Sequence, residues 1–237
     1  MAISTNPLAW LRSVQPRRAI ALLLLLLPLT VGAQTVRDLW LSMPPSFAPY
    51  LSTSLRTQCL DFYDMHTDAQ TDNALKGKSR IDTLTSTFLA ATLSKAHTLQ
   101  MKLLPASGSA SGLGSSLGSG SSSSLSSCDS VLCVVRSWDG PKRDSEVQLF
   151  DRQWKPLQAP LTFSADSFVC RPDTMSEERF SRLVAMLDPI MFSVSLSPAE
   201  NVLLVKLSPV VPNPEDEKAI EQILVQRKLK WDGKTFK

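Results

Sequence analysis

Val131-Leu132-Cys133-Val134-Val135-Arg136-Ser137-Trp138-Asp139-Gly140-Pro141, closed a few residues later by Glu146-Val147-Gln148-Leu149-Phe150, is the stretch that decides how this chain folds. β-branched and aromatic residues fill both runs, and Asp139-Gly140-Pro141 is a turn signal between them. Residues 131–138 and 146–150 are therefore predicted to be two strands of an antiparallel pair. Working outward, residues 87–93 and 98–104 form a second predicted pair across Ser94-Lys95-Ala96-His97. Residues 191–196 and 202–207 form a third.

Helices separate these pairs. Leu55, Cys59 and Phe62 keep helical spacing over residues 53–65. Phe180, Leu183, Val184 and Leu187 keep an i, i+3, i+4, i+7 stripe, with Thr174 and Glu177 at capping-box spacing ahead of it and Asp188-Pro189 as its stop. Asn213-Pro214-Glu215-Asp216-Glu217 is a third helix start, with a cap, a first-turn proline and acids on the positive end of the dipole. Residues 39–50 read as an apolar, turn-rich stretch and 72–78 as a polar loop. A terminal hairpin, 226–231 with 234–237, is predicted around Asp232-Gly233 as a type I′ turn.

The two halves, about 37–160 and 161–237, echo each other. Leu93-Ser94-Lys95-Ala96 matches Leu196-Ser197-Pro198-Ala199, and Met101-Lys102-Leu103 matches Val205-Lys206-Leu207. Trp138-Asp139-Gly140 likewise matches Trp231-Asp232-Gly233. The predicted fold is a single α+β domain over 34–237, mainly antiparallel sheet, built from two similar helix-plus-strands halves with the helices packed on one face. Residues 106–127 interrupt the first half. Twelve of these 22 residues are serine and five are glycine, so the segment reads as a flexible insertion between strands.

Residues 1–33 read as a secretory signal peptide. Arg12, Arg17 and Arg18 precede an apolar run at 19–27 that contains six consecutive leucines, and Val31-Gly32-Ala33 supplies small residues for cleavage between Ala33 and Gln34. The run is shorter than the roughly 20 apolar residues a spanning helix needs. All three leader charges are arginines, so residues 34–237 hold 22 bases against 22 acids. That neutrality excludes the basic footprint of a nucleic-acid binder. The expected location is outside the cytoplasm, soluble, in the periplasm or beyond, with no integral span after cleavage.

Four cysteines, Cys59, Cys128, Cys133 and Cys170, can pair in three ways. Joining Cys128 to Cys133 leaves Cys59 for Cys170. Residues 131–135 read equally well as a buried strand carrying a free thiol. The spacings do not suit zinc.

Catalytic motifs are weak. Gly114-Ser115-Ser116-Leu117-Gly118 has the nucleophile-elbow pattern without its strand and helix. Gly77-Lys78-Ser79 lacks the earlier glycine of a phosphate loop, because that position is Asp72. Asp61 and Asp64 share a predicted helix face with His66 close by, the one candidate carboxylate or metal site. Trp138 and Trp231 are candidates for ligand stacking or, more plainly, for packing at strand ends. No catalytic, metal-binding or cofactor-binding residue is assigned. The best reading is a non-enzymatic envelope protein that binds a protein or a surface component. The alternative is a periplasmic hydrolase using Asp61 and Asp64.

A set of short motifs runs in order along the chain. Leu41-Ser42-Met43-Pro44, Pro49-Tyr50-Leu51 and Asp61-Phe62-Tyr63 come first, then Asn73-Ala74-Leu75, Gly77-Lys78-Ser79 and Met101-Lys102-Leu103-Leu104-Pro105. Asp144-Ser145, Trp154-Lys155-Pro156-Leu157 and Trp231-Asp232-Gly233-Lys234 with Phe236 complete it. This order resembles a family of exported Bacteroidetes proteins of unknown function. The resemblance implies a Gram-negative envelope protein and brings no catalytic residues with it.

Overall fold

The computed structural model describes residues 34–107, 130–211 and 213–237. The leader, the serine-rich pattern at Gly114–Gly118 and Cys128 lie outside these residues.

The predicted hairpin is present and longer than its signal, with β5 at Ser130–Asp139 and β6 at Arg143–Phe150. Upstream lie β1 (Thr71–Asp72), β2 (Lys78–Leu84), β3 (Phe88–Ser94) and β4 (His97–Pro105). All six pair antiparallel in chain order as one meander. A second sheet follows, β7 (Phe192–Leu196), β8 (Val202–Leu207) and β9 (Arg227–Lys230), also antiparallel and also in chain order.

Strand alternation sends each face of the large sheet into its own core. Leu89, Leu99, Met101, Leu132, Val134 and Phe150 point toward α1 (Val36–Ser42) and α2 (Thr53–Asp64). Phe88, Leu104, Val131, Cys133, Val147 and Leu149 point the other way, onto Val194, Leu196, Leu203 and Val205 of the small sheet. Being buried on both faces is why β5 reads as an unbroken apolar run. Leu183 and Leu187, in and just after α3 (Glu177–Ala185), close the second core with Ala219 and Ile220 of α4 (Pro214–Glu221). The domain is α+β with mainly antiparallel sheet. Its helices are not confined to one face: α1 and α2 cover the large sheet, whereas α3 and α4 border the core between the sheets.

The small sheet is joined to the large one through polar groups. The edge N–H groups of Phe192, Val194 and Leu196 on β7 donate to Asp144 Oδ1, Ser145 Oγ and Gln100 Oε1, at 3.3, 3.1 and 2.8 Å. Three alternating donors that would otherwise form an open edge are thereby satisfied by side chains of the large sheet. Lys102, 2% exposed, completes the seam. Its Nζ donates to the carbonyls of Ser197, Pro198 and Glu200 in the β7–β8 turn, at 2.6, 3.1 and 2.7 Å.

Several local expectations are corrected. Residues 36–42 are helical, capped by a Thr35–Asp38 box that the prolines after Met43 obscure. Residues 78–84 form a strand. The cap of α3 is Ser176, whose Oγ accepts from Arg179 N–H, because Met175 N–H already closes a turn onto Pro172 O. At the C-terminus Gly233 alone has positive φ, +98°, so the turn is not type I′. Asp232 instead accepts from the N–H groups of Lys234 and Thr235, and Trp231 bridges Phe236. Among the described residues Cys59, Cys133 and Cys170 carry free thiols, and Cys128, the partner considered for Cys133, lies outside them. Cys59 lies in the helix-side core, while Cys170 N–H bonds Ile223 O beside the core on the other side, and the large sheet separates them.

Candidate functional site

The structure does not gather the Asp61, Asp64 and His66 set. Asp64 is held by Arg37 through two bonds, 2.7 and 2.5 Å, and the guanidinium keeps its carboxyl below the usual range. A general acid needs the opposite shift. His66 follows α2 in a left-handed conformation, φ 52°, and lines a polar cleft of about 370 Å³ with Tyr63, Asp68, Arg80 and Asp82. Neither Asp61 nor Asp64 lines that cleft. Asp82 is engaged by Arg80 and by the Thr92 hydroxyl, each at 2.7 Å. Cys59 also lines the cleft, and burial pushes its thiol up, away from the reactive thiolate. Among the described residues no cluster of three His, Cys, Asp or Glu side chains could hold a metal.

The other motifs are structural. Gly77 N–H donates to Asn73 Oδ1, and the buried Ser79 hydroxyl donates to Leu93 O at 2.6 Å, so this segment makes an Asx turn and no phosphate loop. Trp231 Nε1 donates to Pro105 O at 2.6 Å. That tryptophan ties the C-terminal loop to the end of β4.

Trp138 behaves differently. It stands on the helix-side face of β5, opposite His97 on β4, and is 40% exposed. The helices leave this end of the sheet to the segment around a single 3-10 turn, Pro45–Phe47. What covers it is a row of rings and one cation. Trp154 packs on Phe47 with ring centroids 4.9 Å apart, and the Arg136 guanidinium lies 5.0 Å from the Phe47 centroid. Arg136 is also 5.4 Å from the Trp138 ring. Trp138 stacks on His97 at 5.3 Å with only 8° between planes, and His97 Nδ1 meets the Tyr50 hydroxyl at 2.5 Å. Strand period explains the alignment, since Arg136 and Trp138 are two residues apart and share a face. Glu146, opposite Arg136 on β6, binds the guanidinium at 2.5 Å.

This row carries unfinished polar chemistry. His97 Nε2 and Trp154 Nε1 are buried without a protein partner. Trp154 is 7% exposed and sits at φ 64°, a strained position for a non-glycine residue, held by the Asp151 carboxylate accepting from the flanking Gln153 and Lys155 N–H groups. Burial, with the Arg136 charge second, lowers the His97 pKa. Sequence reasoning singled out Trp138 alone. The remaining members come from four separate segments, and nothing local announces their meeting.

A domain of an uncharacterised protein from Porphyromonas gingivalis W83 shares the fold, with a TM-score of 0.58 and 22% identity over 85% of this chain and 98% of that one. No curated protein matches the chain. The match to a family model runs over residues 28–113 and 123–236 and omits only the middle of the Ser/Gly segment and the two ends. The chain belongs to the family described as Protein of unknown function (DUF3256).

Proposed function

We propose that this chain is a non-enzymatic binding module of the bacterial envelope, exported by its leader and cleaved between Ala33 and Gln34. Its recognition surface is the Trp138 row. The observation that carries this reading is a solvent-exposed tryptophan, backed by buried polar atoms that lack protein partners, on a sheet face the helices leave uncovered. Asp64, one of the two carboxylates of the hydrolase alternative beside Asp61, is paired with Arg37. Among the described residues no helix is long and apolar enough to cross a membrane.

A photo-reactive residue at Gln148, half-buried on the same face as Arg136 and Trp138, tests this in intact cells. Adducts are expected in the unmodified background and with Asp61→Asn plus Asp64→Asn, and are lost with Trp138→Ala. Adducts that ignore Trp138, or their complete absence, would remove the reading. Mass measurement of the recovered protein checks the leader, with Gln34 expected as its first residue.

A further inference from the structure

Resting on that reading, we propose that the Trp138 row binds a neutral glycan chain. The argument is one of complementarity. A ligand lying on this face meets a donor fork and a carboxylate together, because Arg136 and Glu146 stay paired at the surface with side chains 23% and 32% exposed. An anionic ligand would take Arg136 only by opposing Glu146, which is bound to the same guanidinium. A cationic ligand would be opposed by Arg136, which already lies over the Trp138 and Phe47 rings.

A sugar hydroxyl donates and accepts at once, so a pair of adjacent hydroxyls satisfies both members without separating their charges. His97 is stacked on the Trp138 indole, and the 40% of that residue left exposed offers the C–H groups of a sugar ring an apolar surface with little conformational entropy to lose. Trp154 and His97 at the ends of the row are buried, so a ligand meets the stretch between them, Phe47, Arg136 and Trp138, whose steps of 5.0 and 5.4 Å across two adjoining segments suit linked rings in line. Residues 34–237, with 22 bases and 22 acids, generate no net charge that would concentrate a polyanion.

The test uses the full chain, expressed with its own leader and recovered from the host. Dextran-, mannan- and xylan-derived oligosaccharides serve as neutral probes, polygalacturonate as an acidic one, and a peptide array as the protein-like one. Binding is read by calorimetry and by the Trp138 indole N–H resonance. At least one neutral oligosaccharide is expected to move that resonance, with affinity unchanged by raising salt tenfold. Trp138→Ala is expected to weaken it by at least about tenfold, and Trp138→Phe, which keeps a ring, by a smaller factor. Glu146→Gln and Arg136→Gln, with melting temperature measured to confirm folding, should each weaken it too.

Binding confined to the acidic polymer or to peptides overturns the glycan assignment, as does neutral-sugar binding indifferent to all three positions. If Gln148 adducts depend on Trp138 while no sugar binds, the ligand class fails and the binding module stands. If neither is seen, both fail.

Discussion

His97 shows how a single side chain couples burial to pH. Its Nδ1 meets Tyr50, its ring is stacked on Trp138, and Arg136 is the cation facing it, with Glu146 paired to that cation. Burial holds its pKa below the ordinary value of about 6.5, so in acid the unfolded chain takes up this proton before the folded one. The stability His97 contributes is complete above about pH 6.5 and is lost as the pH falls below it. The carboxylates with shifted values, Asp38, Asp64, Asp139, Glu200 and Asp232, are all lowered and act in more acidic solution. Urea midpoints should therefore fall between pH 7 and pH 5 more steeply for the unmodified chain than for His97→Gln, and coincident slopes would contradict the assignment. Lys102 makes a second residue-scale prediction. Lys102→Met keeps the buried stem and removes three donors, so the carbonyls of Ser197, Pro198 and Glu200 lose their partner. Denaturant unfolding should show a loss of about 2 kcal/mol, the scale of removing hydrogen bonds made by a charged group to half-buried and exposed carbonyls.

Among the elements, those whose apolar pattern reflects their own burial were legible. β5 is buried on both faces and α2 on one stripe, and both lie where spacing puts them. β2 carries no strand signal in the sequence because its inward positions are Ser79 and Ile81, and Ser79 is accommodated by a hydrogen bond to Leu93 O that no local pattern foretells. α1 carries a full stripe, Val36, Leu39, Trp40 and Met43, and was hidden by the prolines that follow it. Of the candidate site, Trp138 was legible as a residue type at a strand end. Its partnership with Phe47, Tyr50, His97 and Trp154 was not, since register and loop path alone create it. The C-terminal loop gives the element-scale prediction. A Cβ on Gly233 would fall 1.9 Å from Ser107 Oγ, and φ there is +98°, so both contact and backbone oppose a side chain. Gly233→Ala should cost about 1–2 kcal/mol by thermal or urea unfolding, and Ser107→Gly in the same background should recover only the steric part.

At the scale of the whole molecule, the repeated segments occupy matching places. Leu93–Ala96 and Leu196–Ala199 span the first turn of each three-strand meander, Lys102 and Lys206 lie on the middle strands, and Trp138 and Trp231 at the ends of the third. The two lysines differ in use: Lys102 is buried and grips the other half's turn, whereas Lys206 is exposed. The connection between the second and third strands also differs, being α4 in one half and the Ser/Gly segment in the other. That segment has only to close a hairpin, because Pro105 and Ser130 are register partners on adjacent antiparallel strands. The family match passes over residues 114–122. Deleting those nine residues shortens the link from 24 residues to 15, which changes closure entropy by only about 0.4 kcal/mol. The deletion should leave the melting temperature within about 2 °C of the full chain and the Trp138-dependent adducts intact. A large drop in melting temperature would mean that the segment packs on the domain, and loss of the adducts alone would place it in recognition.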